Sequence, residues 1–537
     1  MRRWNGWGDD TIEVPVGEGA LRFLTQQLGP GTGPADASFE AVCAQLVPSR
    51  LPPHPLVDTS PAVRLTHALG QSLQDWLRLR YGRIEAAPDG VAFPESADEV
   101  RELIRFAIDH GAAVVPYGGG TSVCGHLDAA RDRPTLSIDM SRMRALTNLD
   151  RESLLATFGA GVAGPDLEAQ LRAHGYTLGH FPQSFEYSTL GGWVVTRSSG
   201  QQSLRYGRIE QLFAGGRMET PQGQLEIPNF PASAAGPDLR ELVLGSEGRM
   251  GILTEATVRI SPVPAFEAFH AVFLPDWERA ERAVRSIVQA RLGLSMLRLS
   301  NAVETATMLT LAVHGKTAAQ QVALLETLLR LRGAGADKCM LLVGASGAGD
   351  NRGQARAALA SALTIARRHG GVHAGRGLGE RWKKNRFRNV YLRNAAWAHG
   401  YAIDTVETAL DWPRVTPGMR AVEQAAREAM AAEGEQVHAY THLSHLYAQG
   451  ASVYTTFIWR LAGNFDADLA RWRRLKNAVS DAIVAGGGTI SHQHGVGLDH
   501  APWLRAEKGA LGMQALGALF RAFDPEGCMN PGKLLTP

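Results

Sequence analysis

A glycine-rich loop provides the first residues whose types and spacing could do chemistry. The stretch from Pro116 to Leu127 reads Pro-Tyr-Gly-Gly-Gly-Thr-Ser-Val-Cys-Gly-His-Leu, and the apolar residues 112–115 before it are typical of a short buried strand. Three consecutive glycines allow a tight turn and a close approach of the backbone to a ligand, and Thr121 and Ser122 add hydroxyl groups. Such a loop is either a cradle for a pyrophosphate or a turn without a ligand.

Two familiar phosphate-binding motifs do not match this loop. A Walker A loop would continue with Gly-Lys-Ser/Thr, which residues 116–127 lack. A Rossmann fingerprint would lead directly into a helix, whereas residues 135–140 alternate apolar and polar side chains like a strand. The loop is therefore neither a P-loop nor a Rossmann turn.

Two further stretches repeat the combination of glycines and hydroxyl groups. Residues 179–207 interleave glycines with the hydroxyl groups of Ser184, Ser188, Thr189, Thr196, Ser198 and Ser199. Residues 244–252 read Leu-Gly-Ser-Glu-Gly-Arg-Met-Gly-Ile and lead into an alternating segment that is typical of a strand. Three such loops in one part of the chain are hard to explain as turns alone. We expect residues 179–207 to add little to a core and to wrap a large polar ligand.

Two histidines occupy a fourth glycine-rich turn. Residues 486–497 read Gly-Gly-Gly-Thr-Ile-Ser-His-Gln-His-Gly-Val-Gly, which places His492 and His494 on either side of Gln493. Histidines at this spacing are core residues, surface residues or metal ligands, and the spacing does not choose among these roles.

The composition excludes several classes of function. Charged residues make up 20% of the 537 residues, the formal net charge is +2 and the arginines are dispersed, so we expect no nucleic-acid binding. The four cysteines lie far apart without a Cys-x-x-Cys pair, which favours a reducing cytoplasm over a disulfide framework. No apolar run is long enough to span a membrane, and no apolar stretch follows the N-terminal arginines as in an export signal. We expect a cytoplasmic protein and leave peripheral membrane contact open.

Periodicity predicts an α+β fold. Ser96 and Glu99 indicate a capping box at the start of a helix with an apolar stripe that includes Val100, Leu103 and Ile104. Strands are predicted at residues 90–94, 112–115, 135–140, 154–159, 269–274, 341–343 and 452–458. Helices are predicted at residues 70–80, 161–175, 277–291, 317–332, 350–369, 415–433 and 465–484. Frequent prolines predict that the rest of residues 1–85 is irregular.

In their order along the chain, these loops resemble the flavoenzyme superfamily of vanillyl-alcohol oxidase and p-cresol methylhydroxylase (PCMH), and within it the alkyldihydroxyacetonephosphate synthase family. The similar segments are residues 3–8, 116–127, 179–207, 245–260, 391–393, 407–412 and 491–497, which span most of the chain. The resemblance implies an α+β fold: a two-part PCMH-type FAD-binding domain with an inserted α+β cap (substrate) domain. The implied domains are an N-terminal extension (1–85), the FAD-binding domain (86–262), the cap (263–490) and a C-terminal segment that returns to the FAD domain (491–537).

The same resemblance implies FAD as a noncovalent cofactor. It assigns the pyrophosphate to the first loop, namely Pro116, Tyr117, Gly118, Gly119, Gly120, Thr121 and Ser122. It lines the flavin and adenosine with Gln183, Ser184, Tyr187, Ser188, Thr189, Thr196, Arg197, Ser198, Ser199, Glu247, Gly248, Gly251 and Ile252. His126 is an alternative, covalent attachment point, because some relatives attach flavin to a histidine near this position.

Three residues take catalytic or binding roles by resemblance. Tyr454 matches the tyrosine that deprotonates the substrate, Arg393 matches the arginine that binds the substrate phosphate, and Arg298 matches another arginine needed for activity. We expect the pKa of Tyr454 to be lowered by its surroundings or by the flavin. Without the resemblance, Tyr454 would be an ordinary sheet residue and Arg393 part of a solvated helix face.

His492 and His494 match the outer members of a catalytic three-histidine loop in that family. Gln493 replaces the middle histidine, so the role of the central imidazole is not carried over. Related 2-hydroxyacid dehydrogenases hold a metal near this point, but Gln493 replaces their acid and residues 445–450 lack their Asp and Asn. We therefore expect no metal site.

The implied reaction exchanges the acyl group of acyl-dihydroxyacetone phosphate, a lipid-like phosphate substrate, for a fatty alcohol through an adduct at flavin N5. We also expect a homodimer. Two other functions stay open. One is an FAD-dependent 2-hydroxyacid (lactate/glycolate-type) dehydrogenase or oxidase, which the tail 530–533, Asn-Pro-Gly-Lys, favours. The other is a flavin-binding protein without catalysis.

Overall fold

The structure of the protein is a computed structural model that describes residues 2–311 and 315–535, with the backbone alone for residues 315–319. Within these ranges the strands form sheets of four, five, two and seven strands, and helices lie between them. The mixture of helices and sheets confirms the predicted α+β class.

The N-terminal region is helical, which corrects the prediction of an irregular extension. It contains α1 (Glu18–Leu28), α2 (Phe39–Gln45), β1 (Val57–Asp58), α3 (Pro61–Thr66) and α4 (Leu73–Arg80). Pro61 opens α3, where proline is compatible with a helix because the first-turn N–H has no partner in the helix. The prolines therefore separate short helices instead of preventing them.

The first sheet positions the glycine loop. Its strands, in the order β1-β2-β4-β3, include β2 (Gly90–Ala92), β3 (Ala113–Tyr117) and β4 (Thr135–Asp139), and α5 (Ala97–Asp109) connects β2 to β3. Ser96 caps α5 as predicted, but the Glu99 carboxylate accepts from the backbone N–H of Glu95, so the predicted capping box is incomplete. The loop begins where β3 ends, beside a buried core.

The second sheet is antiparallel, with the order β5-β6-β10-β8-β9. Its strands are β5 (Leu146–Asp150), β6 (Leu155–Gly159), β8 (Phe213–Thr220), β9 (Gly223–Ile227) and β10 (Ile252–Arg259). β7 (Tyr176–Thr177) pairs with β11 (Ser261–Pro262). The helices of this region are α6 (Gly164–Arg172), α7 (Leu190–Val195), α8 (Ser203–Tyr206), α9 (Ile209–Leu212) and α10 (Leu239–Val243).

Residues 179–207 contribute to the core of this region, contrary to the sequence-based expectation. Phe181, Leu190, Trp193 and Val194 are buried in one cluster beneath the second sheet. The prediction was wrong because it weighed the glycines and hydroxyl groups of the segment and overlooked its widely spaced apolar residues. The segment is therefore part of the core through its apolar side chains.

The seven-stranded sheet carries the remaining candidate residues. Its order is β15-β12-β14-β13-β17-β18-β16, and every pairing is antiparallel. The strands are β12 (Phe266–Leu274), β13 (Met296–Ser300), β14 (Cys339–Gly347), β15 (Val372–His373), β16 (Tyr401–Asp411), β17 (Val437–Leu443) and β18 (Gly450–Arg460).

Eight helices accompany this sheet in the described part of the chain: α11 (Trp277–Gln289), α12 (Ala302–Leu311), α13 (Gly315–Leu331), α14 (Arg352–Arg368), α15 (Gly377–Asn385), α16 (Leu392–Ala398), α17 (Trp412–Ala431) and α18 (Phe465–Ala485). Short 3₁₀ turns occur at Met140–Arg142, Gly349–Asn351 and Asn389–Tyr391. α11, α14 and α17 bury apolar side chains against the sheet, so one of its faces is covered by helices.

The C-terminal segment packs against the first sheet. After α19 (Ala501–Phe523), which is kinked at Gly509, Met529 forms a parallel bridge with Val114 of β3. Asn530 donates its backbone N–H to the Val114 carbonyl and its side chain to the Glu247 carbonyl. The predicted domain boundaries stay predictions, but these contacts tie the last residues to the glycine loops.

Candidate functional site

The first glycine loop has unused hydrogen-bond donors. Within the described ranges, the amide groups of residues 118–122 donate no hydrogen bond to the protein. A Cβ atom on Gly119 would lie 1.8 Å from the Tyr187 carbonyl oxygen, and one on Gly118 would lie 2.3 Å from Thr189 Oγ1. The loop therefore needs glycine to pack on residues 187–189. Its free amides are suited to a pyrophosphate.

Glu247 joins this loop to the loop of the two histidines. Its carboxylate accepts the N–H groups of Val496, at 2.6 Å, and Gly497, at 2.8 Å, and lies 2.9 Å from His126 Nε2. Gly248 packs against Pro116. Arg197 and Glu247 both have positive φ angles, a conformation that non-glycine residues adopt uncommonly and that four other non-glycine residues in the described part of this chain share.

The other predicted cofactor residues differ in whether their side chains are free to form a hydrogen bond with a ligand. Ser199 Oγ and the neighbouring Ser246 Oγ are buried without a hydrogen-bond partner in the described residues. Ser188 Oγ accepts from Trp193, and Thr196 Oγ1 donates to Gly192, so both are already engaged. The structure does not bring Gln183 to the glycine loop, because its side chain donates to the Arg386 carbonyl.

These observations fit the cofactor that the resemblance implies. A loop with free amides and a cradle that a Cβ would fill suits the pyrophosphate of FAD, and the unpartnered serine hydroxyls suit its polar edges. One residue that the sequence did not single out joins this site: Arg2 donates to the Gly119 carbonyl and lies 5.3 Å over the Tyr187 ring.

A row of polar residues crosses the seven-stranded sheet. Tyr454 on β18 lies directly opposite Glu407 on β16 and His442 on β17, and His442 lies opposite Ser300 on β13. Directly paired residues of antiparallel strands share a face, so the row forms one surface. The Tyr454 ring stacks on His442 at 4.7 Å and meets the edge of His494 at 5.9 Å.

The surroundings of Tyr454 correct the expectation of a lowered pKa. Burial raises the pKa of Tyr454 to about 12, and nearby Glu407 adds to the effect, whereas the hydrogen bond to Thr405 opposes it. The hydroxyl donates to Thr405 Oγ1 at 3.2 Å. Without a ligand, Tyr454 is therefore a neutral phenol at neutral pH.

Arg393 has a free, buried donor. Its Nη1 donates to the Gln71 carbonyl at 2.9 Å and its guanidinium lies 4.3 Å over the Trp76 ring, but Nη2 is buried without a partner in the described residues. Burial lowers the pKa of Arg393, and Asp404 and Tyr454 oppose that shift. The solvated-face interpretation is wrong for this arginine, which offers an unsatisfied cation close to Tyr454.

Arg298 does not reach Tyr454 directly. It donates to Ser300 and Glu304, and its Nη2 lies 3.0 Å from His442 Nδ1, which also lies 3.0 Å from Glu304 Oε1. His442 in turn stacks on Tyr454. Its contacts place it beside the imidazole that stacks on the phenol.

Glu407 is the functional candidate that the sequence analysis missed. It is fully buried and accepts from Ser444, at 2.6 Å, and Gln493, at 2.5 Å, and lies near His445, His492 and His494. Burial alone would raise the pKa of Glu407, but the two histidines at 445 and 492 outweigh it and hold the pKa well below its usual range. An acid within an apolar strand was the available signal, since buried acids are rare without a partner.

The two loop histidines are neutral at pH 7. Burial lowers the pKa of His492 to about 4, and burial also lowers the pKa of His494. His492 Nε2 lies 2.7 Å from the Tyr447 hydroxyl and 2.6 Å from Arg208 Nη1. His494 Nε2 lies 4.0 Å from the Glu407 carboxylate, which is too far for a hydrogen bond.

Three of these side chains satisfy the distances of a metal site. Single ligand atoms of Glu407, His445 and His492 lie within 4.8 Å of one another. The expectation of no metal rested on a missing acid, and that reason was wrong, because Glu407 of β16 supplies one. Arg208 provides a different objection, because its cationic guanidinium contacts the ring of His492.

The chain matches known protein families over most of its length. Residues 88–227 match the family described as "FAD binding domain" and residues 263–534 match "FAD linked oxidases, C-terminal domain". The chain is 30% identical to an alkyldihydroxyacetonephosphate synthase of Trypanosoma brucei brucei, over 99% of this chain and 92% of the relative.

A solved structure of alkyldihydroxyacetonephosphate synthase superposes with a TM-score of 0.84 at 26% identity, over 99% of this chain and 98% of that structure. A mitochondrial D-lactate dehydrogenase (cytochrome) of Arabidopsis thaliana is 24% identical over 84% of this chain and 74% of its own length. The hydroxyacid dehydrogenase type is thus the more distant of the two.

Proposed function

This chain belongs to the alkyldihydroxyacetonephosphate synthase family of FAD-linked enzymes, and from that membership we propose that it replaces the acyl group of an acyl-dihydroxyacetone phosphate with a fatty alcohol. The product would be an ether-lipid precursor. FAD is the cofactor, and when bound it supplies an electron-accepting ring for the substrate carbon. The observation that carries the proposal is the unpartnered, buried Nη2 of Arg393 close to Tyr454.

Arg393 would hold the substrate phosphate. A buried guanidinium with a free donor costs free energy until an anion reaches it, and a phosphate oxygen supplies the missing acceptor. Trp76 beneath the guanidinium and the Gln71 carbonyl at its edge fix the direction of that donor. The substrate would therefore be oriented by its phosphate end before the carbon reacts.

Tyr454 and His494 would handle the proton of the reacting carbon. Tyr454 carries its own proton at neutral pH and can accept another only as it gives the first one away. His494 is neutral, lies edge-on to the phenol and would accept that proton once the hydroxyl turns away from Thr405 Oγ1, to which it donates in this structure. In this proposal the carbon's proton passes to the Tyr454 oxygen while the phenol proton passes to the imidazole. Tyr454 stays neutral, the imidazole becomes a cation, and the electron pair of the broken C–H bond stays on the substrate carbon.

The test compares two reactions on the purified flavoprotein. Palmitoyl-dihydroxyacetone phosphate and labelled hexadecanol should give labelled ether product and free palmitate in equal amounts, with no reduction of an added dye. Dye reduction by D-lactate or glycolate, without ether formation, would replace the proposal with the dehydrogenase function. Retained flavin with no response to any of these compounds would indicate a binding protein.

We also propose, as separate expectations, a homodimer, a cytoplasmic location and peripheral membrane contact. The four cysteines Cys43, Cys124, Cys339 and Cys528 are free, which supports a reducing compartment. In the described residues, no helix is both long and apolar enough to cross a bilayer. Light scattering tests the dimer, and sedimentation with lipid vesicles tests the membrane contact.

A further inference from the structure

Glu407 is a buried anion surrounded by groups that can donate protons. Its Oε1 lies 2.6 Å from Ser444 Oγ, 3.2 Å from His492 Nδ1 and 3.4 Å from His445 Nδ1, and its Oε2 lies 2.5 Å from Gln493 Nε2. Burying a carboxylate without such partners would cost several kcal/mol. The residues around Glu407 are therefore held in place by its charge.

Arg208 contacts the same histidine from the other side. Its Nη1 lies 2.6 Å from His492 Nε2, and its Nη2 donates to the carbonyl groups of His492, at 3.0 Å, and Arg197, at 3.1 Å. An arginine keeps all its protons at neutral pH, so the Nη1 contact requires a lone pair on Nε2. A neutral His492 must then carry its proton on Nδ1, the nitrogen that faces Glu407.

His492 and His494 differ in how free they are. Nε2 of His492 contacts Arg208 and Tyr447, and Nδ1 faces Glu407 Oε1 at 3.2 Å without forming a hydrogen bond in the described residues. The ring of His494 has no hydrogen-bond partner among the residues that the structure describes, and its neighbour in the site is the Tyr454 ring. The two histidines therefore cannot perform the same task.

We propose that Glu407 and Arg208 are positioning residues that fix His492 as its Nδ1-protonated tautomer, so that His492 holds the 492–494 loop while His494 alone exchanges a proton with Tyr454. The proton exchange rests on the proposed function, but the tautomer of His492 does not. Gln493 fits this arrangement, because its amide donates to Glu407 as a histidine N–H in the middle position would.

The same geometry opposes a metal between Glu407, His445 and His492. A metal on Nδ1 of His492 would move the ring proton to Nε2, where it would point at the Arg208 guanidinium 2.6 Å away. Two N–H groups that point at each other cannot lie 2.6 Å apart, so the Arg208 contact would be lost. A metal and the Nδ1-protonated tautomer are thus alternatives that one measurement separates.

The first experiment measures the tautomer without using activity. The ring ¹⁵N signals of His492 in the ¹⁵N-histidine-labelled holoenzyme, assigned with His492→Asn, should show protonated Nδ1 and unprotonated Nε2 at pH 7. Arg208→Met should produce a mixture of tautomers. A protonated Nε2 in the wild type, or one metal ion per chain that is lost in Glu407→Gln, would overturn the proposal.

The second experiment measures the effect on turnover. Glu407→Gln should lower kcat about tenfold or more and shift the acid limb of the pH profile, with FAD content and KM unchanged, because a His492 with the wrong tautomer no longer holds the 492–494 loop and misplaces His494 without emptying the site. Glu407→Asp should recover part of kcat. A kcat of Glu407→Gln equal to wild type would overturn the inference, and inactivity of the wild type would overturn the proposed function instead.

The matched control is Glu423→Gln. Glu423 is also buried and accepts from Asn301 and Thr441, but Thr441 points to the sheet face opposite His442, so this carboxylate lies away from the site. Its replacement should leave kcat and the pH profile unchanged. Equal losses for the two substitutions would mean that any buried carboxylate in or against this sheet has the same effect, and would overturn the specific role of Glu407.

Discussion

Glu407 lies directly opposite Tyr454 where β16 pairs with β18, so a buried carboxylate and a buried phenol are neighbours on one face of the sheet. The carboxylate helps to raise the pKa of the phenol to about 12, after the larger effect of burial. The pair therefore keeps the Tyr454 proton in place until a substrate or the cofactor changes the local charge.

Removing the hydroxyl of Tyr454 should stop chemistry and preserve binding. Tyr454→Phe deletes an atom that donates only to Thr405, so the fold and the FAD content should persist while turnover falls about 100-fold or more, as for the loss of an acid–base group. Tyr401→Phe, at the far end of β16, is the control and should keep wild-type turnover. Wild-type turnover in Tyr454→Phe would make Tyr454 an ordinary sheet residue.

Arg393→Lys should weaken substrate binding by about 1.5–3 kcal/mol, because an ammonium group cannot reproduce the two-oxygen contact of a guanidinium. The measurement is the dissociation constant for the phosphate substrate, compared with that of the same ketone lacking the phosphate. The substitution should affect the first constant and spare the second. Equal losses for both compounds would show that Arg393 acts on packing with Trp76 and not on the phosphate.

Gly119→Ala should abolish flavin binding. The added Cβ would lie 1.8 Å from the Tyr187 carbonyl oxygen, so the loop would have to move away from residues 187–189. The control is Gly353→Ala, whose Cβ would meet nothing within 4 Å and which lies in α14.

Wild-type protein should be yellow and release FAD into the supernatant on acid precipitation, and colour that stays with the pellet would show a covalent bond.

A chelator should leave activity unchanged. Arg208 favours a proton and not a metal on Nδ1 of His492. The enzyme should therefore keep its turnover within error after incubation with EDTA and gel filtration. Activity that disappears and returns with zinc or manganese would identify Glu407, His445 and His492 as ligands.

His438 should make the protein less stable in mild acid. Burial lowers the pKa of His438 to about 4, from about 6.5 in an unfolded chain. Between these pH values the unfolded state binds the proton more readily than the folded state. The unfolding free energy is therefore unaffected by the titration of His438 above pH 6.5 and decreases by up to about 3 kcal/mol as the pH falls to 4. His438→Gln should reduce the dependence of the unfolding free energy on pH in that window, and an unchanged dependence would contradict it.

Local patterns in the sequence predicted most of the helices and strands, since the apolar stripe of α5 and the alternation of β4 are properties of consecutive residues. The short N-terminal helices were missed because their prolines read as breaks. Glu407 was missed because the partners that mark it as part of a site, residues 444, 492 and 493, are distant in sequence and contact it only in the folded chain. The pKa of Tyr454 was misjudged for the same reason, since burial is a tertiary property.

Met529 and Asn530 complete the support of β3 and of the loop around Glu247, although they are translated after every strand of the seven-stranded sheet. During synthesis on the ribosome, the packing of the glycine loop is therefore completed only after almost the whole chain has been made. Capture of the flavin is consequently a late event of biosynthesis, and a nascent chain stalled before residue 529 should emerge colourless even when FAD is abundant.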